Sequence, residues 1–146
     1  MEDIDYMKIA YGEAVKAREN DEVPIGAVIV KDGDIIARAF NQKEVLQDVT
    51  AHAEMLAIQK ACDVLGTWHL DGCTLYSTLE PCMMCSGAII QSRIARVVIG
   101  AKGQRWHGLL QYLSSHDFNH KPEVEAGILE EECSTLISNY FKTKRI

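Results

Sequence analysis

The sequence lacks any apolar run long enough to cross a bilayer. Short apolar runs such as 26–30 and 97–99 have the length of buried strands. The N-terminus also lacks the basic region of a secretory signal peptide, because Glu2, Asp3 and Asp5 stand in its place. These absences lead us to expect a cytoplasmic protein.

Linkers and repeats are missing too. The chain has only 3 prolines, and it contains no internal repeat, low-complexity tract or Pro/Gly/Ser-rich stretch. A length of 146 residues suits one hydrophobic core and leaves no room for a second catalytic module. We therefore expect residues 1–146 to form a single domain.

A surplus of basic residues is also absent. The 21 acidic residues outnumber the 15 lysines and arginines, which gives a formal net charge of −6. This charge argues against a broad, sequence-independent grip on nucleic acid, because basic faces supply most of that affinity. It still allows local recognition of one nucleotide.

Cysteine occurs in an odd number. An odd count of 5 cannot pair completely within the chain, and thiols in the cytoplasm stay reduced. Metal binding or catalysis is therefore the better use for a patterned pair. Cys62, Cys73 and Cys133 show no such pattern and are most simply buried small hydrophobes.

Hydrophobic periodicity and turn residues predict an alternation of helices and strands. Helices are expected over 4–19, 51–65, 81–92, 109–115 and 130–142, and strands over 25–30, 35–40, 74–78, 96–100 and 123–126. Asp32-Gly33 is a hairpin turn signal, Thr50 suits the N-cap of the second helix, and Pro81 suits the first turn of the third. The order predicts an α/β protein, a three-layer α-β-α sandwich with a mixed five-stranded sheet.

Two short segments carry residues suited to zinc. His52-Ala53-Glu54 and Pro81-Cys82-Met83-Met84-Cys85 each open a predicted helix. Cys82 and Cys85 are three positions apart, so on a helix they share a face and can bind one ion. One imidazole and two thiolates bind Zn²⁺ well, and three protein ligands leave a fourth position for water, as in catalytic sites. We expect one Zn²⁺ per subunit, held by His52, Cys82 and Cys85.

Glu54 is the candidate for proton transfer. On a regular helix His52 and Glu54 would point roughly 200° apart, so they can flank one site only if the metal lies at the helix end. Glu54 can then take a proton from water and pass it to the leaving nitrogen. H-x-E together with P-C-x-x-C is the established signature of zinc base deaminases. Each part alone has another explanation. The C-x-x-C pair could be a redox dithiol or a structural zinc half-site, His52 a core histidine, and Glu54 a surface carboxylate.

At these residues the chain resembles the bacterial tRNA wobble-adenosine deaminases of the cytidine-deaminase superfamily. The resemblance spans about residue 6 to residue 142 and is carried by the segments 23–27, 50–54, 79–88, 92–94, 118–120 and 127–129. It implies a cytidine-deaminase-like fold and conversion of adenosine to inosine at the first anticodon position by a zinc-containing homodimer. It also implies that Asn41 holds the target nucleoside and that the backbone of Ala53 contacts the base. Asn41 is also typical of a turn at a strand end.

The chain departs from the family pattern ahead of residue 50, in the loop 101–108 and in its basic C-terminal extension, of which only Lys142, Lys144 and Arg145 remain. Asp48-Val49 stands where the family has Asp-Pro. The loop 101–108 is shorter than the family loop that helps to grip the anticodon and lacks its Asp, Lys and Gly/Ser-rich turn. Arg105 and Trp106 could replace the lost contacts by meeting a phosphate and stacking on a base, although Trp106 equally suits a lid over the core edge. His120 lies in a family-like segment and is expected near bound RNA.

Three functions are open on this basis. The first is a tRNA adenosine deaminase, which the length of the resemblance favours. The second is a deaminase of a free base or nucleoside such as guanine or cytosine, which the acidic charge and the altered loop favour. The third is a catalytically silent zinc-binding partner subunit, against which the intact Glu54 speaks.

Overall fold

A computed structural model gives the positions of residues 1–103 and 107–144. Its elements are α1 (Asp3–Glu19), β1 (Gly26–Lys31), β2 (Asp34–Phe40), α2 (Lys43–Leu46), α3 (Ala53–Leu65), β3 (Cys73–Leu79), α4 (Met83–Gln91), β4 (Arg96–Ala101), α5 (Leu109–Ser115), β5 (Glu123–Ala126) and α6 (Glu130–Lys144). None of the described helices is both long and apolar enough to span a membrane.

The five strands form one mixed sheet in the order β2-β1-β3-β4-β5. β1 pairs antiparallel with β2 and β3, whereas β3, β4 and β5 run parallel. The crossover from β3 to the parallel β4 passes through α4, so these three elements form a βαβ unit. The hairpin between β1 and β2 turns at Asp32 and Gly33, with φ of 51° and 80°. Positive φ at both central residues is the twist that a two-residue hairpin needs.

Strand side chains alternate between two apolar cores, as a pleated sheet requires. Ala27 and Ile29 of β1 join the core on the side of α3, α4 and α5, whereas Val28 and Val30 pack with Met7 of α1 on the other side. α6 packs against β3 and β4 and contacts α1, so it lies in the same layer as α1. Helices therefore cover both faces of the sheet, and the predicted three-layer sandwich is confirmed.

The strand register brings several segment ends to one edge of the sheet. Leu79 at the end of β3 pairs with Ala101 at the end of β4. At the same edge Phe40, the last residue of β2, pairs with Gly26. The segments that follow β2, β3 and β4 therefore all leave the sheet at this edge, which we call the upper edge.

The predicted elements are present with ends within two residues of those expected, but two helix starts were wrong. Thr50 is not an N-cap, because its backbone N–H and hydroxyl both donate to Asp48 Oδ1, at 2.8 and 2.7 Å, in a turn ahead of α3. Pro81 precedes α4 instead of lying in its first turn. The short helix α2 was not predicted, because its four residues bury none of their side chains and show no periodicity.

A polar cluster fastens α1 to the sheet on the face away from α3. The Arg96 guanidinium donates to both carboxylate oxygens of Asp3, at 2.8 and 2.6 Å, and to Glu125 Oε2 at 2.5 Å. The Tyr76 hydroxyl donates to Asp3 Oδ1 at 2.7 Å. The hydrogen bond from Arg96 holds the pKa of Asp3 at about 2, below its ordinary 3.8. The start of α1 is therefore tied to β3, β4 and β5.

Replacing Asp3 by Asn should lower the free energy of unfolding at neutral pH by about 1 kcal/mol, a modest amount because the pair is partly exposed. A folded-state pKa of about 2 against an ordinary 3.8 means that the stabilisation is present above pH 3.8 and lost as the pH falls through 2. Urea unfolding at neutral pH and within that acid window should show the deficit of Asp3→Asn shrinking with acidity. Asp63→Asn, at an exposed position on α3, is the control, and equal losses in both variants would contradict the role given to Asp3.

Candidate active site

Two helix N-termini meet at the upper edge, and each begins with a candidate ligand. His52 is the N-cap of α3, with φ −72° and ψ 152°, and Cys82 is the N-cap of α4, with φ −72° and ψ −177°. An N-cap residue has extended backbone and lies outside the helical spiral. His52 therefore need not share a helix face with Glu54. This meets the condition expected from the sequence, that a site flanked by both residues lies at the helix end.

The three predicted ligands form one cluster. His52 Nδ1 lies 3.6 Å from both the Cys82 and Cys85 sulfur atoms, and the three donor atoms all lie within 4.8 Å of one another. A tetrahedral zinc with bonds of about 2.0 Å to nitrogen and 2.3 Å to sulfur would place such donors about 3.5 Å apart. The donor set and its spacing therefore fit Zn²⁺.

Protonation within the cluster favours a thiolate at Cys82. The hydrogen bond from the Cys85 thiol, followed by that from His52, lowers the pKa of Cys82 to about 4 although burial opposes it. The same bond to Cys82 raises the pKa of His52. A thiolate is the metal-binding form of cysteine, and a bound dication favours a second thiolate beside it.

Glu54 lies in the first turn of α3 and is 3% exposed. Among the described residues, its Oε1 is the buried side-chain oxygen without a hydrogen-bond partner. Burial raises the pKa of this carboxyl to about 7, and the charge of His52 opposes that rise. A buried polar atom without a partner is costly. An oxygen left open beside a metal-ligand cluster is what a group that exchanges protons with a bound substrate requires.

Asn41 lies at the same upper edge of the sheet as this cluster. It directly follows β2 and is buried, with Oδ1 accepting from the Lys43 N–H at 3.2 Å and Nδ2 donating to the Val23 carbonyl at 3.3 Å. The next residue, Gln42, donates its N–H to the Ala51 carbonyl at 3.0 Å, just ahead of His52, the N-cap of α3. The structure therefore brings Asn41 to the metal-site edge, in the strand-end turn that was the alternative interpretation of this residue.

The other predicted substrate contacts are placed differently. Ala53 begins α3 with its side chain fully buried, beside the cluster. Arg105 and Trp106 lie outside the described residues. The His120 imidazole has its Nε2 2.7 Å from the Ile94 carbonyl oxygen, ahead of the first residue of β4 and thus at the edge opposite to the upper edge. The structure does not bring His120 to the cluster.

Glu22, which the sequence did not indicate, also supports the upper edge. Its side chain is fully buried, with Oε1 and Oε2 accepting from the Glu44 and Val45 N–H groups at 2.9 and 2.7 Å. It thereby caps α2, which follows Asn41. No local pattern marks a glutamate ahead of a first strand, and its partner helix was itself not predicted.

Comparison with known proteins agrees with this geometry. The model of the MafB19-like deaminase family matches residues 1–145. The chain is 54% identical over 143 residues to the tRNA-specific adenosine deaminase of Bacillus subtilis (strain 168), covering 96% of this chain and 89% of that protein. Its fold superposes on a tRNA:A34 deaminase with a TM-score of 0.86, at 44% identity, over 90% of this chain and 98% of the other. A guanine deaminase from Bacillus subtilis gives a TM-score of 0.67 at 45% identity, over 70% of this chain and 66% of that one.

The layered fold with a His-Cys-Cys cluster at two helix N-termini defines an enzyme of the deaminase class. Within the MafB19-like deaminases, the chain belongs to the family of tRNA-specific adenosine deaminases. This confirms the resemblance carried by the segments 50–54 and 79–88.

The cluster predicts how single cysteines affect metal content. Cys85→Ser removes a sulfur ligand, so zinc content after purification and dialysis, measured by atomic absorption, should fall from one ion per chain to well below that ratio. Cys133→Ser is the matched control, because Cys133 is an equally buried cysteine on α6 and should leave the metal content unchanged. A chelator should lower the melting temperature of the wild type and of the control by more than that of Cys85→Ser. Equal zinc in the two variants would contradict this ligand set.

Proposed function

We propose that this chain is a zinc-dependent hydrolytic deaminase that converts wobble adenosine to inosine in tRNA. The observation that carries the proposal is the similarity over nearly the whole chain, at 54% identity, to a tRNA-specific adenosine deaminase. The His-Cys-Cys cluster beside the buried Glu54 supports the reaction class independently. A silent partner subunit would not need that glutamate.

His52, Cys82 and Cys85 would hold Zn²⁺, which when bound supplies Lewis-acid activation of water. Glu54 Oε1 accepts a proton from the attacking water and later donates a proton to the amino nitrogen at C6 of adenine. The C6–N bond breaks, and one water is consumed for each ammonia released. The burial of Glu54 keeps bulk water from competing for this proton.

Contacts with the substrate form part of the proposal. The Asn41 side chain and the Ala53 backbone, both at the upper edge, are proposed to hold the nucleoside and its base. Arg105 and Trp106 are proposed to meet a phosphate and a base of the anticodon loop. Because His120 is at the opposite edge, any contact it makes with RNA lies away from the reacting base.

A homodimer working in the cytoplasm completes the proposal and rests on the family resemblance. Apolar side chains on the two helices of the metal site support the dimer, since Met83 on α4 and Val64 on α3 are 69% and 62% exposed. Sedimentation equilibrium of the zinc-loaded protein tests it, and a monomer at micromolar concentration would contradict it.

Deamination of a free base is the second candidate. The similarity to a guanine deaminase at 45% identity over 70% of this chain favours it, as does the net charge of −6. It shares the metal cluster and Glu54 with the first candidate, so the substrate alone distinguishes the two.

Incubation of the zinc-loaded protein with an anticodon stem-loop carrying wobble adenosine should release ammonia and form inosine at that position. Adenosine, guanine, cytosine and cytidine are assayed in parallel, with product bases separated by chromatography. Turnover of guanine or another small substrate with the RNA untouched would reject the tRNA function in favour of the second candidate.

Glu54→Gln should keep zinc in a one-to-one ratio and lower ammonia release at least about a thousandfold, because proton transfer is lost while the ligands remain. Glu13→Gln is a matched control, since Glu13 is also buried but lies on α1, across the sheet, in an ion pair with Lys16. Zinc content and turnover are measured on both variants. Loss of zinc together with activity in Glu54→Gln would show that Glu54 supports the metal site instead of carrying the proton.

A further inference from the structure

Glu80 connects the metal-site segment to the loop that departs from the family pattern. It follows β3 directly and stands two residues ahead of Cys82, with 9% of its surface exposed. Its backbone N–H donates to the Ala101 carbonyl at 2.8 Å, which extends the pairing of β3 with β4 by one step. The residue therefore belongs to the upper edge and leads straight into the zinc ligands.

The Glu80 carboxylate binds the loop at two places. Oε1 accepts from the Gly103 N–H at 3.0 Å, and Oε2 accepts from the Leu110 N–H at 2.9 Å. Alongside, the Leu109 N–H donates to the Pro81 carbonyl at 3.2 Å. One side chain thus fixes both the departure of the chain from β4 and its arrival at α5. Hydrogen bonds to an ionised acceptor are about twice as strong as neutral ones.

Gly108 leaves the space that this carboxylate fills. A Cβ atom at position 108 would lie 2.5 Å from Glu80 Cδ and 2.6 Å from Oε2, well inside van der Waals contact. Gly108 is also the N-cap of α5. The glycine and the glutamate therefore form a matched pair, and either one can be changed to disturb the same contact.

We propose that Glu80 is a positioning residue for the RNA substrate, holding Gly103 and Leu110, on either side of the altered loop, against the upper edge. This inference rests on the proposed tRNA function. Lys102 and His107, both exposed, flank the tied positions, so the carboxylate determines where groups able to meet a phosphate stand relative to the reacting base. Its bonds run to the loop and not to the ligand cluster, so its loss should weaken substrate binding more than chemistry.

The test separates KM from kcat with the zinc-loaded enzyme and the wobble-adenosine stem-loop. Glu80→Gln keeps the shape but turns an acceptor towards a backbone N–H into a donor, and Gly108→Ala disturbs the contact from the loop side. Each should raise KM about tenfold and leave kcat within about twofold, with zinc content unchanged. Because both variants break one contact, the double variant should raise KM by less than the product of the single effects. Glu13→Gln, a buried glutamate on the other face, should change neither constant.

Hydrogen exchange supplies a readout that needs no substrate. Glu80→Gln should speed amide exchange at Gly103 and Leu110 and leave α4 unchanged, because the side-chain ties run to those two residues. Unchanged exchange at these two amides, or unchanged KM in both variants, overturns the proposal. A joint loss of kcat and zinc also overturns it, since Glu80 would then support the ligands. If the wild type does not act on the stem-loop, the tRNA function is wrong and the RNA role of Glu80 falls with it, a result seen before any variant is made.

Discussion

The pairing of β3 with β4 is the constraint on which the site depends. Because these strands are parallel and in register from Thr74 to Leu79, the segments that leave them start at the same edge, and the crossover helix α4 must begin there. The antiparallel hairpin of β1 and β2 returns the chain to that edge as well, so α3 begins beside α4. Two helix N-termini are thereby brought together, each with a donor atom at its N-cap, and a shift in either register would separate His52 from the cysteines.

Helix N-termini also suit the chemistry of this site. Backbone N–H groups at the start of a helix favour negative charge, and Cys82, Cys85 and Glu54 are all acidic groups in the first turn or at the cap. The thiolate at Cys82 is favoured before any metal binds.

The hydrogen-bond partners of the buried glutamates distinguish the candidate catalytic residue from those that support the fold. Glu22 and Glu80 each satisfy both carboxylate oxygens with backbone N–H groups, and Glu13 pairs with Lys16. Glu54 alone among these four leaves a buried oxygen without a partner. All four occur in the sequence as ordinary acidic residues, but only Glu54 lies in a spacing pattern that identifies it.

The sequence predicted the features that local patterns encode. Apolar stretches bounded by turn residues predicted the strands. The H-x-E and P-C-x-x-C segments predicted that His52, Cys82 and Cys85 would cluster, because spacing near a helix start determines their geometry. It could not predict Glu22 or the role of Glu80. Glu22 accepts from a backbone N–H 22 positions away and Glu80 from one 30 positions away. Because every non-proline residue has a backbone N–H, no sequence pattern marks these partners. Thr50 was misassigned because Asp48 competes for its hydroxyl, a choice that propensity alone does not decide.

The two ties of Glu80 have a consequence for how such enzymes diversify. A loop anchored at both ends to one side chain can gain or lose residues between its anchors at small cost, since loop closure grows only by about 0.6 kcal/mol per doubling of length. Insertions and deletions between Gly103 and Leu110 are therefore expected to alter substrate range over evolution while the reaction itself is retained.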